Sequence, residues 1–83
     1  MQASIVREEE VFECIKAALI EYGFDVEALT PEDHFSDDLG VDSIEMVDLV
    51  IHVERRLHVS LDDKQARRSV SIQDLIEHVL QSL

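Results

Sequence analysis

The chain has one cysteine, Cys14, so it can form no internal disulfide and offers no zinc-finger spacing, a usage that fits a reducing cytoplasm. It has no apolar run near the roughly 20 residues a membrane span needs. Its start, MQASIVREEE, lacks the cationic segment and apolar stretch of a secretory signal. The expectation is a soluble, unsecreted, cytoplasmic protein with no membrane insertion. One proline and two glycines leave little punctuation, and no repeat, linker or convincing strand stands out. Bases are also scarce, seven against nineteen acids, and the net charge of −12 sets phosphate backbones and anionic membranes against the chain. Nucleic acid is a poor partner; a basic protein surface is a better one.

What is present points to one globular domain spanning residues 1–83. Eighty-three residues can enclose a single modest core, which rules out large enzyme architectures, and an apolar fraction of 46% argues against wholesale disorder. The charge is unevenly placed. Residues 1–54 hold fifteen acids and two bases, residues 55–83 four acids and five bases, so the acidic surface is concentrated in the first part.

Periodicity at about 100° per residue puts Val11, Phe12, Ile15, Ala18, Leu19 and Tyr22 on one stripe of a helix that starts between Ser4 and Glu9 and stops at Gly23. Cys14 lies at the stripe's edge and reads as a half-buried thiol with no base nearby to activate it. Residues 23–41 form a long connection in which Thr30-Pro31-Glu32-Asp33 has the chemistry of one helical turn, with Phe24, Val26, Leu29, Phe35 and Leu39 as tethers to the core. Asp42 and Glu45 stand as N-cap and third residue of a capping box, with Val41 and Met46 as its hydrophobic staple, opening a helix that runs to about Leu57. The pattern recurs at Ser71 and Asp74, with Val70 and Leu75 as staple. It opens a last helix with Ile72, Leu75, Ile76, Val79, Leu80 and Leu83 on one face. Between them Val59 and Leu61 are anchors, and a short helical turn runs from about Asp62 to Arg67.

The second helix is apolar on two sides. Met46, Leu49, Val50, Val53 and Leu57 form one stripe; Ile44, Val47 and Ile51 form another, flanked by Glu45, Asp48 and Glu54. Either neighbouring helices cover both stripes, or the second is an exposed docking surface with an acidic rim for a basic partner. Ser43 takes the first position of this helix, over the positive end of its dipole, where an anionic phosphoryl group is well placed.

Phe35-Ser-Asp-Asp-Leu-Gly-Val-Asp-Ser-Ile44, continued by Glu-Met-Val-Asp-Leu-Val50, resembles an acyl carrier protein. The likeness extends through Leu57, Val59, Leu61, Asp63 and Ala66 to Ile72-Gln-Asp-Leu75. It implies an all-α fold, an acyl-carrier-like bundle of three main helices plus a short third helix, with a core cavity that acyl chains enter. It implies that Ser43, following Asp42, carries 4′-phosphopantetheine, whose thiol holds acyl intermediates as thioesters. It also implies a partner face of Ile44, Glu45, Val47, Asp48, Ile51 and Glu54. Its partners would be a phosphopantetheinyl transferase and the enzymes of fatty-acid, polyketide or related synthesis, through basic docking patches. A carrier of this kind is not an enzyme, needs no base beside Ser43, and as a shuttle is expected to be a monomer.

The chain departs from the family pattern in carrying Arg55 and Arg56 at the end of the second helix, and Lys64, Arg67 and Arg68 in the third, where acids are usual. Ser69 replaces an apolar residue and Ile44 a leucine. These changes favour a specialised carrier over the housekeeping one. Two alternatives stay open: a peptidyl or aminoacyl carrier, and an acidic helical adaptor that is never modified. A calcium loop fails, because Gly40 at its sixth position would put Phe35 at the first ligand position. His34, His52, His58 and His78 lack metal-ligand spacing and read as solvated. A serine hydrolase would need a Gly-x-Ser-x-Gly elbow, which Ser43 does not have.

Overall fold

The computed structural model describes residues 8–83, and over them the protein is all-α: α1 (Glu8–Glu21), α2 (Ser43–Leu57), α3 (Asp63–Arg67) and α4 (Ile72–Ser82). These are the expected three main helices with a short third. Where α1 begins falls partly outside the described residues. Glu8, Glu9 and Glu10 occupy its first turn, where carboxylates complement the positive end of the helix dipole.

α1 packs against both α2 and α4, and α3 packs against α2. The core is built from Val11, Ile15, Ala18 and Leu19 of α1, Met46, Leu49, Val50 and Val53 of α2, Ala66 of α3, and Ile72, Leu75, Ile76 and Val79 of α4. Full burial stabilises each of the larger aliphatic side chains by about 1.5–3 kcal/mol. Phe35 and Leu61 join them from the connections, while Phe24, Val26, Leu29 and Leu39 pack partly buried against the same core. The long connection is therefore tied down as its apolar residues indicated.

It is also stitched by backbone bonds. The Phe35 N–H donates to the Val70 carbonyl at 2.9 Å, the Ile72 N–H to the Asp33 carbonyl at 3.0 Å, and the Gln73 N–H to the Pro31 carbonyl at 2.9 Å. An isolated antiparallel bridge pairs His34 with Ser71. Thr30 to Asp33 forms the single turn, closed by the Asp33 N–H on the Thr30 carbonyl.

Three expected core positions lie outside the core. α1 ends at Glu21, and Gly23, at φ +88°, turns the chain away, so Tyr22 leaves the stripe. Its hydroxyl donates to the Asp48 carbonyl at 3.2 Å and its ring meets His52 edge-on, which makes it a strap from α1 to α2. Val70 is 56% exposed, so the α4 staple is not buried, and Leu83, the last residue, is exposed past the end of α4. Helix α2 stops at His58, which takes a left-handed φ of 57° without being glycine. Asp62 proves to be the N-cap of α3, not its first residue.

Candidate functional site

The segment before α2 sets Ser43 in place. Gly40 adopts φ +75°, a conformation that favours glycine, with its N–H on the Ser36 carbonyl at 3.0 Å. Val41 is buried beside Met46, as a staple requires, and its N–H donates to the Phe35 carbonyl at 2.8 Å. Asp42 is extended and closes the capping box. Its carboxylate accepts the Glu45 N–H at 2.8 Å, and the Glu45 carboxylate accepts the Asp42 N–H at 2.9 Å.

Ser43 follows as the first residue of α2, with its side chain exposed. Of the N–H groups that start α2, that of Glu45 is capped. Those of Ser43 and Ile44 have no protein acceptor among the described residues. Two unpaired donors at the positive end of a 15-residue helix, beside an exposed hydroxyl, suit an anionic group attached to that hydroxyl. A groove of about 400 Å³ runs from Ser43 past Phe35, Val41, Met46 and Val70, with His34, Asp37, Arg67 and Ser69 along it. Larger hollows of about 570 Å³ lie elsewhere. One, between α3 and α4, is walled by charges of both signs, including Asp62, Lys64, Arg68 and Glu77. It lacks the apolar lining and open helix start that give the Ser43 groove its chemistry.

The second stripe of α2 is uncovered. Ile44 is 74% exposed and Ile51 41% exposed, so neighbouring helices do not enclose this side. Val47 is half-buried in a hollow of about 250 Å³ between α2 and α3, shared with Val50, Ile51, Asp63 and Arg67. The acids beside the stripe are not equivalent. Asp48 is exposed, Glu45 belongs to the capping box, and the half-buried Glu54 accepts the Leu61 N–H at 2.8 Å.

Comparison with known proteins decides the family. The model for the phosphopantetheine attachment site matches residues 11–79. An acyl carrier protein of Helicobacter pylori strain J99 is 33% identical over 70 residues, which cover 83% of this chain and 90% of that protein. The chain belongs to the acyl carrier protein family. An acyl carrier protein of Desulforapulum autotrophicum is 35% identical over 57 residues, covering 69% of this chain and 74% of the relative. The solution structure of the 3,7-dioxo-octyl actinorhodin acyl carrier protein from Streptomyces coelicolor superposes with a TM-score of 0.70. That match covers 96% of this chain and 93% of that one at 21% identity, and it supports the fold.

An acyl carrier protein is a carrier and not an enzyme; its prosthetic group is 4′-phosphopantetheine, and it works with a phosphopantetheinyl transferase and biosynthetic enzymes. The residues here fit that group, since the open start of α2 supplies donors for a phosphodiester and the groove an apolar wall for a flexible arm. Arg67 and Ser69 reach this groove across the fold, which no spacing in the sequence could show.

Two expectations about other polar side chains change. His52 and His78 are half-buried, each with a buried Nε2 that has no partner, because both sit on helices at the margin of the core. Cys14 is buried, not half-buried, and burial pushes its thiol up while the nearby Arg56, brought in by the packing of α2 on α1, acts in the opposite direction. The thiol remains protonated and inert near neutral pH.

Proposed function

We propose that Ser43 carries the 4′-phosphopantetheine of this acyl carrier protein, and that the cytoplasmic, monomeric chain forms one carrier domain over residues 1–83. When attached, the group supplies the thiol on which acyl intermediates are held as thioesters. The observation that carries this reading is the open N-terminus of α2, an exposed Ser43 hydroxyl with the unpaired Ser43 and Ile44 N–H groups beside it. Those donors balance the phosphodiester charge, and Asp42 holds the turn rigid through the Glu45 N–H. Phe35, Met46 and Val70 give the arm an apolar wall, and the hollow between α2 and α3 is a place for the start of an acyl chain.

Ile44, Val47 and Ile51 serve as docking anchors for a client enzyme of fatty-acid, polyketide or related synthesis. Asp42 and Asp48 attract basic groups around that enzyme's active-site mouth, with Glu45 and Glu54 adding charge from within their backbone bonds. Such a rim raises the association rate without requiring a tight complex, as a shuttle needs. The bases at Arg55, Lys64, Arg67 and Arg68 support a dedicated pathway over a housekeeping role.

The test is intact mass after incubation of unmodified protein with coenzyme A and a phosphopantetheinyl transferase. The wild type gains one cofactor unit and Ser43→Ala gains none. A wild type that stays unmodified, or a Ser43→Ala variant that is still modified, defeats the assignment.

A further inference from the structure

The groove that leaves Ser43 is lined by two kinds of side chain. Phe35, Val41 and Met46 are buried behind it, and Val70, exposed although apolar, adds to their surface. Arg67, the last residue of α3, and Ser69, in the turn that follows, supply polar groups. That turn is local: the Arg68 N–H donates to the Gln65 carbonyl at 3.1 Å and the Ser69 N–H to the Ala66 carbonyl at 3.2 Å. It sets Arg67 at the Ser43 groove, whereas Arg68 lines the hollow between α3 and α4. The half-buried Ser69 borders both spaces.

Arg67 has unused donors. Its Nε–H is held by the Asp63 carbonyl at 3.1 Å, one turn back, which orients the guanidinium. Its Nη N–H groups have no acceptor among the described residues, and it makes no ion pair there. The acids that line the groove are engaged elsewhere: the Asp42 carboxylate takes the Glu45 N–H, and that of Asp37 lies 3.5 Å from His34 Nδ1. Asp63, in the hollow between α2 and α3, meets Arg67 through its carbonyl oxygen and not as an ion pair. The Ser69 hydroxyl also makes no hydrogen bond among the described residues. Arg67 is, among those residues, the one permanent cation that lines the groove.

4′-Phosphopantetheine presents its groups in an order that suits this lining. A phosphodiester comes first, at the serine oxygen, then a carbon bearing two methyl groups, then a hydroxyl and an amide carbonyl. The open N–H groups of Ser43 and Ile44 stand at the first of these, the apolar residues suit the methyls, and Arg67 offers the carbonyl a charged donor. We infer that Arg67 is a positioning residue for the attached arm. Its free Nη N–H groups, helped by the Ser69 hydroxyl, hold the first amide carbonyl, and the two methyl groups rest against Val70, which gives that exposed apolar side chain an occupant. This rests on the carrier reading for the presence of the arm. Arg67 also borders the hollow between α2 and α3, so an arm held by it has its remaining length directed to the mouth of that hollow.

The experiment is NMR on the full chain after cofactor attachment, with intact mass read first. In the wild type the two methyl groups of the arm give NOEs to Val70, and the Arg67 Nε–H resonance moves between the unmodified and the modified chain. Arg67→Gln weakens those NOEs by about threefold or more, the scale of one lost hydrogen bond, and Ser69→Ala weakens them less. Arg68→Gln, the same change of charge one residue on, leaves them unchanged. Each variant keeps the wild-type amide spectrum away from the groove, so the loss reports release of the arm and not unfolding. NOEs that are absent from the modified wild type, or that survive Arg67→Gln, overturn the inference. So does an equal loss in Arg67→Gln and Arg68→Gln, which would trace the effect to overall charge. A mass without the cofactor defeats the carrier reading and this inference with it, whereas attached cofactor without the NOEs defeats this inference alone.

Discussion

At the heads of α2 and α4 the chain repeats one arrangement, an N-cap side chain bonded to the third helical N–H and an acid at that third position bonded back to the cap. The first helical residue differs. At α4 it is Ile72, fully buried, and the N–H groups of Ile72 and Gln73 are taken by the Asp33 and Pro31 carbonyls. At α2 it is Ser43, exposed, with its own N–H and that of Ile44 left to solvent. The same local grammar thus builds a closed, structural helix start in one place and an open, chemical one in the other. The difference comes from what the rest of the fold lays against it.

Substitutions at matched positions sharpen that contrast. The largest effect belongs to Ile72→Ala, which opens a void under α4 and should lower the unfolding free energy by about 2–5 kcal/mol in urea titration. Asp74→Ala removes an acceptor for both the Val70 and Ser71 N–H groups and should lower stability by about 1–2 kcal/mol. The Asp74 carboxyl is held below its ordinary value of 3.8, first by the Ser71 backbone N–H. Its contribution is therefore in place above that value and lost as the pH falls through the lowered one. Asp74→Asn should accordingly flatten the acid limb of the stability curve, and an unchanged limb would show that the bonds add nothing.

Asp42→Ala, at the open start, should lower stability by about 1 kcal/mol through loss of its cap. Smallest of all, Ser43→Ala should change it by less than about 0.5 kcal/mol, since the exposed side chain makes no hydrogen bond among the described residues. A drop of 2 kcal/mol or more there, on the scale of a core substitution, would mean that Ser43 is structural after all and the two helix starts are alike.

Much of this was legible in the sequence because its causes are local. Asp42 with Glu45 and Ser71 with Asp74 mark their helices through bonds three residues apart, and Gly23 and Gly40 mark turns by the backbone angles they adopt. The apolar residues of the long connection showed that it is fastened. What the sequence hid depends on partners distant along the chain. Periodicity placed Tyr22 on the core stripe, but the helix ends one residue before it. Val70 read as half of a staple, yet its carbonyl holds Phe35 while its side chain stays outside. Glu45 and Glu54 read as equals of Asp48 on a docking rim. The structure holds Glu45 in the capping box and draws Glu54 to the Leu61 N–H, which leaves Asp48 the exposed acid of the three. Arg56 beside Cys14, and Arg67 beside the Ser43 groove, follow from helix packing that no spacing encodes.

Peptide-level mass mapping of protein treated with coenzyme A and transferase tests the central claim most directly, because one molecule holds a serine at each box, Ser43 just after the Asp42 cap and Ser71 as the cap itself. The account predicts the added cofactor on the peptide containing Ser43 and none on the peptide containing Ser71. Modification at Ser71, or at any residue other than Ser43, would contradict it.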